Sequence, residues 1–154
     1  MNARTEGRAP VLPPVYFLMA VILMVGLHFV SPVRQVIPTW ARYWGVAPLL
    51  AGFALVVWAA RLFDRAGTTI KPFQPSSALV VRGPYRLSRN PIYLGMVVAL
   101  LGLGMMLGSL TPFAVVPVFA WAIQHRFIRP EEAMLEGTFG AAYAEYKAAV
   151  RRWL

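Results

Sequence analysis

Two short blocks of the 154-residue chain carry residue types that could do chemistry. The first is GPYRLSRNPIYLG, running from Gly83 to Gly95, with Arg82, Arg86 and Arg89 crowding its ends. A purely structural reading covers part of it. The arginines belong to a basic loop, and Asn90 caps a helix that opens on Pro91. That reading does not require Tyr85, Tyr93 and the two framing glycines at these spacings. The second block is Glu131-Glu132. Acids at a helix start are favoured by the macrodipole. Brought beside the first block, they could also accept hydrogen bonds from a cationic or hydroxylated ligand. His125 lies a few residues upstream and is a further candidate ligand contact. His28 sits inside an apolar run and reads as a packed or hydrogen-bonded residue. The chain has no cysteine and two histidines, so disulfides, thiolate zinc sites and a cysteine nucleophile are excluded, and no metal site is expected.

The elements that must position these blocks are apolar. Hydrophobic residues make up 58% of the chain and charged residues 14%. A soluble domain of this size cannot hide so much apolar surface. Four apolar stretches stand out, at about 12–30, 44–63, 92–110 and 111–128. Each approaches the ~17–25 residues that cross a ~30 Å hydrocarbon core. The third and fourth are separated only by a tight turn at Gly108–Pro112, which predicts an antiparallel helical hairpin. The first has a basic start, but no small-x-small cleavage signature follows it, and SPVRQV continues directly. It therefore reads as a span rather than a signal peptide. In the third span Gly102, Gly104 and Gly108 predict close helix packing, with Gly104 and Gly108 in GxxxG spacing.

Charge placement orients the spans. Four spans put both termini and the Asp64–Asn90 loop on one side. That side carries all of the 15 Lys+Arg except Arg34 and Arg42, and all six acids. The positive-inside bias makes it the cytoplasmic side. The net charge of +9 thus points to anionic headgroups rather than nucleic acid. Within the loop, Gly67–Pro75 reads as an extended ordered segment and Ala78–Val81 as a short strand-like or interfacial piece. Beyond Pro130 the apolar positions Leu135, Phe139, Tyr143, Tyr146, Val150 and Trp153 step by 4, 4, 3, 4 and 3. That is one face of an amphipathic helix, lying on the membrane or over the ends of the spans. The expected fold is an all-α integral membrane domain over 1–154, with about four transmembrane helices, a cytoplasmic loop and a C-terminal amphipathic helix.

The two blocks together resemble the isoprenylcysteine carboxyl methyltransferase family, in its small prokaryotic form. The positions that carry the likeness are Gly83, Tyr85, Arg89, Asn90, Pro91, Tyr93 and Gly95. After the hairpin, Glu131, Glu132, Leu135, Phe139, Gly140, Tyr143 and Tyr146 continue it. The resemblance implies a membrane-embedded methyltransferase of the prokaryotic inner membrane that uses S-adenosylmethionine; the charge bias is what puts both termini on the cytoplasmic side. It places the cofactor region at about 70–95 and 125–154. Carried over residue by residue, the cofactor contacts are Ala78, Leu79, Val80, Tyr85, Asn90, Pro91, Ile92, Tyr93, Glu131 and Glu132, with His125 nearby. Arg129 or Arg126 is implied in positioning the acceptor. Asn90 stands where the prenylcysteine enzymes carry His, and it cannot titrate near neutral pH.

The chemistry suits these residues. The donor's methyl is already activated by its sulfonium, so the protein has to align an acceptor and exclude water. A glutamate can hold the ammonium or ribose, and tyrosines can pack on the adenine or face the sulfonium. The acceptor, a lipophilic or small carboxylate, amine or thiol, is expected to enter sideways from among the membrane lipids. A nicotinamide-dependent membrane reductase and a non-catalytic membrane adaptor are the alternative readings. Hairpin geometry predicts that the two blocks meet on one face, within roughly 8–10 Å.

Overall fold

A computed structural model describes residues 12–65, Gly67 and residues 78–154. The Gly67–Pro75 expectation lies outside these residues apart from Gly67, which sits in a turn. Most of the described residues are helical, and none of them forms a strand. An isolated antiparallel bridge joins Gln35 and Ser109 at the turn opposite the candidate site. Ala78–Val81 is irregular backbone rather than strand-like.

Helix α1 (Pro13–Val30) opens on two prolines, whose missing N–H groups cost nothing in a first turn. The short α2 (Thr39–Arg42), a 3-10 turn (Tyr43–Gly45) and α3 (Val46–Arg65) form one rod from Thr39 to Arg65. α1 and this rod are long and apolar enough to cross a membrane, with mean hydropathies of 2.0 and 1.9. Their outward faces are bare: Leu18, Ile22, Leu50 and Trp44 are all more than half exposed. A soluble core helix would bury such a surface, whereas lipid covers it without cost.

By length and composition these two helices are the candidate spans among the described residues, and the third and fourth apolar stretches are built differently. α4 (Pro91–Leu107) is apolar but has 17 residues, about 25 Å of helix. The fourth stretch is built from pieces: a 3-10 turn (Thr111–Ala114), α5 (Val115–Ile123) and a π turn (Gln124–Ile128). The chain does not break at Pro130. It runs on as helix into α6 (Arg129–Ala149), so the fourth stretch and the amphipathic segment are one continuous element. A proline cannot donate to the carbonyl four residues back and crowds it, and the wider π turn lies where that carbonyl sits. α6 then breaks at Gly140, whose φ of 49° and ψ of −119° suit glycine alone. The single amphipathic face expected from Leu135 to Trp153 is therefore two arms of different direction, followed by extended backbone at Val150.

The core lies between α1, α4 and α5, where Met24, Leu100, Phe119, Ile123 and Phe127 are buried. α3 packs most closely on α4 because their backbones touch. A Cβ added at Gly45 would strike the carbonyl of Gly102, and one at Gly52 the carbonyl of Gly95. The two glycines on each rod are seven residues apart, in antiparallel register. Gly102 thus packs helix on helix as expected, but the Gly104/Gly108 spacing does not serve that purpose. Gly104 lies under the Phe113 ring, and Gly108 is the left-handed cap that ends α4 against Arg42. At that turn the N–H groups of Val36 and Ile37 donate to the Gly108 carbonyl, and His28 Nδ1 lies 2.7 Å from Ser109 Oγ. His28 is the hydrogen-bonded residue that its setting suggested.

Candidate functional site

At the other end of the helices, a cavity of about 420 Å³ opens between the start of α1, the last turns of α3, the 78–93 segment and α6. The antiparallel hairpin brings the start of α4 back beside the start of α6, and the two sequence blocks meet there. Tyr93 Oη donates to Glu131 Oε1 at 2.7 Å, across 38 residues of chain. Ala78, Leu79, Val80, Tyr85, Asn90, Pro91, Ile92, Tyr93, Glu131 and Glu132 all line this one cavity.

The adjacent carboxylates have different fates. Glu132 is buried and taken by two guanidinium groups. Arg152 donates from Nη2 at 2.6 Å and from Nε at 3.1 Å to each oxygen, and Arg89 Nη2 donates at 2.9 Å. Burial pushes its pKa up, but the Arg152 hydrogen bonds and the Arg89 and Arg152 charges together outweigh it and hold it below the usual range. Glu131 has no such cation among the described residues. Burial pushes its pKa up to about 7, against the pull of the Tyr93 hydrogen bond. It is the carboxylate left open toward the cavity.

The tyrosines form a neutral wall. Tyr85 is buried edge-on against Phe63, with ring centroids 5.4 Å apart, and Tyr146 Oη donates to the Tyr85 carbonyl at 2.6 Å. Tyr143 is 1% exposed, and burial raises its pKa to about 12. The Gly140 break turns this second arm of α6 back over the cavity, and the left-handed glycine is the local reason.

Asn90 behaves differently from a helix cap. It makes no side-chain cap bond to α4, which starts from the preset backbone of Pro91 itself. Its Nδ2 instead donates to the Arg152 carbonyl at 3.1 Å, and its N–H donates to Ser88 Oγ. Three proposed contacts are not brought to the cavity. The continuous helix buries Phe127 and Ile128, which leaves His125, Arg126 and Arg129 on its outer side. His125 Nδ1 lies 2.8 Å from the Trp121 carbonyl, and Arg126 Nε reaches Tyr16 Oη at 3.4 Å. The cavity also uses residues outside both motif blocks, Val56, Ala60 and Phe63 of α3, together with Met96 of α4; Arg89 of the first block lines it as well. The α3 trio steps by 4 and 3, a helical face that could have been read. No group of three or more His, Cys, Asp or Glu that could hold a metal occurs among the described residues.

Comparison with known proteins covers the same elements. The model of a family described as phospholipid methyltransferase matches residues 40–142, from the start of the α3 rod through the first arm of α6. A 63-residue stretch, 41% of the chain, is 38% identical to an uncharacterized protein of Haemophilus influenzae and spans all of that protein. No solved structure matches the chain.

Proposed function

The chain belongs to the phospholipid methyltransferase family, within the isoprenylcysteine carboxyl methyltransferase-like group, and on that premise we propose that it moves a methyl group from S-adenosylmethionine to a lipophilic acceptor at the cytoplasmic membrane face. The observation that carries the reading is the Tyr93–Glu131 contact. It joins the two motif blocks on the wall of one largely apolar cavity.

The residues present fit the donor. When bound, it supplies an electrophilic methyl on a sulfonium. Glu131, with one neutral partner among the described residues, can hold the ammonium or a ribose hydroxyl. Tyr85, Tyr93 and Tyr143 offer ring surfaces for the adenine and the sulfonium. Leu79, Val80, Met134 and Leu135 keep water away. On the membrane side, Leu12, Pro13, Val56 and Ala60 present an apolar wall against which an acyl or prenyl chain can lie. The family's description makes a phospholipid amine the first acceptor to try, ahead of a carboxylate or a thiol. The charge bias of the loops supports a cytoplasmic site in a prokaryotic inner membrane, with both termini on that side.

The test is mass spectrometry of a bacterial lipid extract incubated with purified protein and methyl-labelled S-adenosylmethionine. Label should appear in a lipid-soluble product and disappear with Glu131→Gln. A folded protein that neither binds the donor nor labels any lipid would overturn the reading. NADPH oxidation in its place would select a reductase.

A further inference from the structure

We propose that Arg152 is a positioning residue. From beyond α6 it grips Glu132 and thereby locks the second arm of α6 over the cavity. This rests on the functional reading for its catalytic consequence, but its geometry stands apart from it. Arg152 also lies outside the residues that the family model matches.

The Gly140 break leaves the second arm as a lever carrying Tyr143 and Tyr146. What pins the lever is the segment that follows it. Arg89 N–H donates to the Arg151 carbonyl at 3.0 Å, Ser88 Oγ to the Arg152 carbonyl at 3.2 Å, and Asn90 Nδ2 to the same carbonyl. Trp153 Nε1 donates to Gln124 Oε1 at 2.8 Å. The Arg152 side chain then crosses to Glu132 on the first arm, donating from Nε and Nη2 along one edge of its guanidinium. Arg89 grips the same carboxylate and also donates from Nη1 to the Lys147 carbonyl on the second arm. Glu132 is thus the common anchor of the first arm, the second arm, the Asn-Pro block and the returning segment. Planar, bidentate contact fixes direction as well as charge, which a lysine cannot reproduce. The nearby Lys147–Glu136 pair is exposed on both sides, and pairs of that kind contribute little.

Hydrogen exchange on the donor-free protein in detergent tests the lock directly. Arg152→Ala should raise exchange in residues 141–149 by roughly ten- to a hundredfold and leave α1 and α3 unchanged. Arg152→Lys, which keeps the charge, should restore only part of the protection. Glu136→Gln is the control and should leave exchange as it was. Unchanged exchange at 141–149 in a folded Arg152→Ala protein, or full rescue by lysine, would overturn the proposal. With the donor, Arg152→Ala should raise KM for S-adenosylmethionine by a similar factor, with a smaller fall in kcat. A merely structural role would lower the folded fraction and leave KM alone, which would also contradict the proposal. If the wild type binds no donor, the functional reading falls, and the exchange measurement still decides the lock.

Discussion

The two ends of the helical bundle use polar groups in opposite ways. At the 31–38 and 108–112 end, polar atoms close on one another. The Leu110 N–H meets the Arg34 carbonyl, His28 meets Ser109, and Arg42 meets Gln35 and the Ile37 carbonyl. No carboxylate is present there, and the result is a sealed turn. At the cavity end, Glu132 is saturated by two arginines while Glu131, among the described residues, keeps a single neutral partner and a raised pKa. Arg89 Nε is buried with no partner among the described residues. Unspent polar capacity beside a cavity is costly to hold without a ligand, and active sites gather perturbed groups of this kind.

The sharpest way to break the contrast is Glu131→Gln. Losing a charge-assisted bond should weaken S-adenosylmethionine binding by roughly 10- to 150-fold, read by calorimetry in detergent, with the fold intact. Unchanged affinity would remove Glu131 from the donor site. The matching change at the sealed end is Ser109→Ala. It strips His28 of its partner and should destabilise the protein by about 1–3 kcal/mol in thermal unfolding, without altering donor affinity. A loss of affinity there would mean that the two ends are coupled.

A smaller effect sharpens the role of Glu131. Its pKa of about 7 lies above the ordinary carboxylate value, so it is ionised above that pH and neutral below. Holding a cation requires the ionised form. Donor affinity should therefore fall by about tenfold as pH drops from about 8 to 6, and Glu131→Gln should flatten the profile. The sign reverses for the donor-free fold. A raised folded pKa contributes stability below the unfolded value that is lost as pH rises through about 7, so the empty protein should unfold more readily at pH 8 than at pH 6.

What the sequence made legible follows from the range of its signals. Hydropathy marked the four apolar stretches, and all four are helical. Hairpin geometry brought Tyr93 to Glu131 because the turn at Gly108–Pro112 leaves the chain no other course. Periodicity, however, reports which face is apolar and not how one element joins the next. The π turn that carries the helix past Pro130 was invisible to it, and so was the Gly140 reversal within an unbroken run of apolar steps. Position in the chain suggests His125, and the resemblance Arg126 or Arg129, but a continuous helix turns such residues outward once Phe127 and Ile128 face the core. Local pattern pairs Asn90 with its neighbour Pro91 as a helix cap, whereas its side-chain partner is the Arg152 carbonyl 62 residues away, which no local pattern encodes.

Hydrogen exchange with and without S-adenosylmethionine tests the central claim most directly. If the two motif blocks build one donor pocket, protection should rise together in residues 78–93 and 128–146 and change little in residues 31–43 at the sealed end. Protection confined to one block, or spread equally to residues 31–43, would contradict a shared pocket at this end of the bundle.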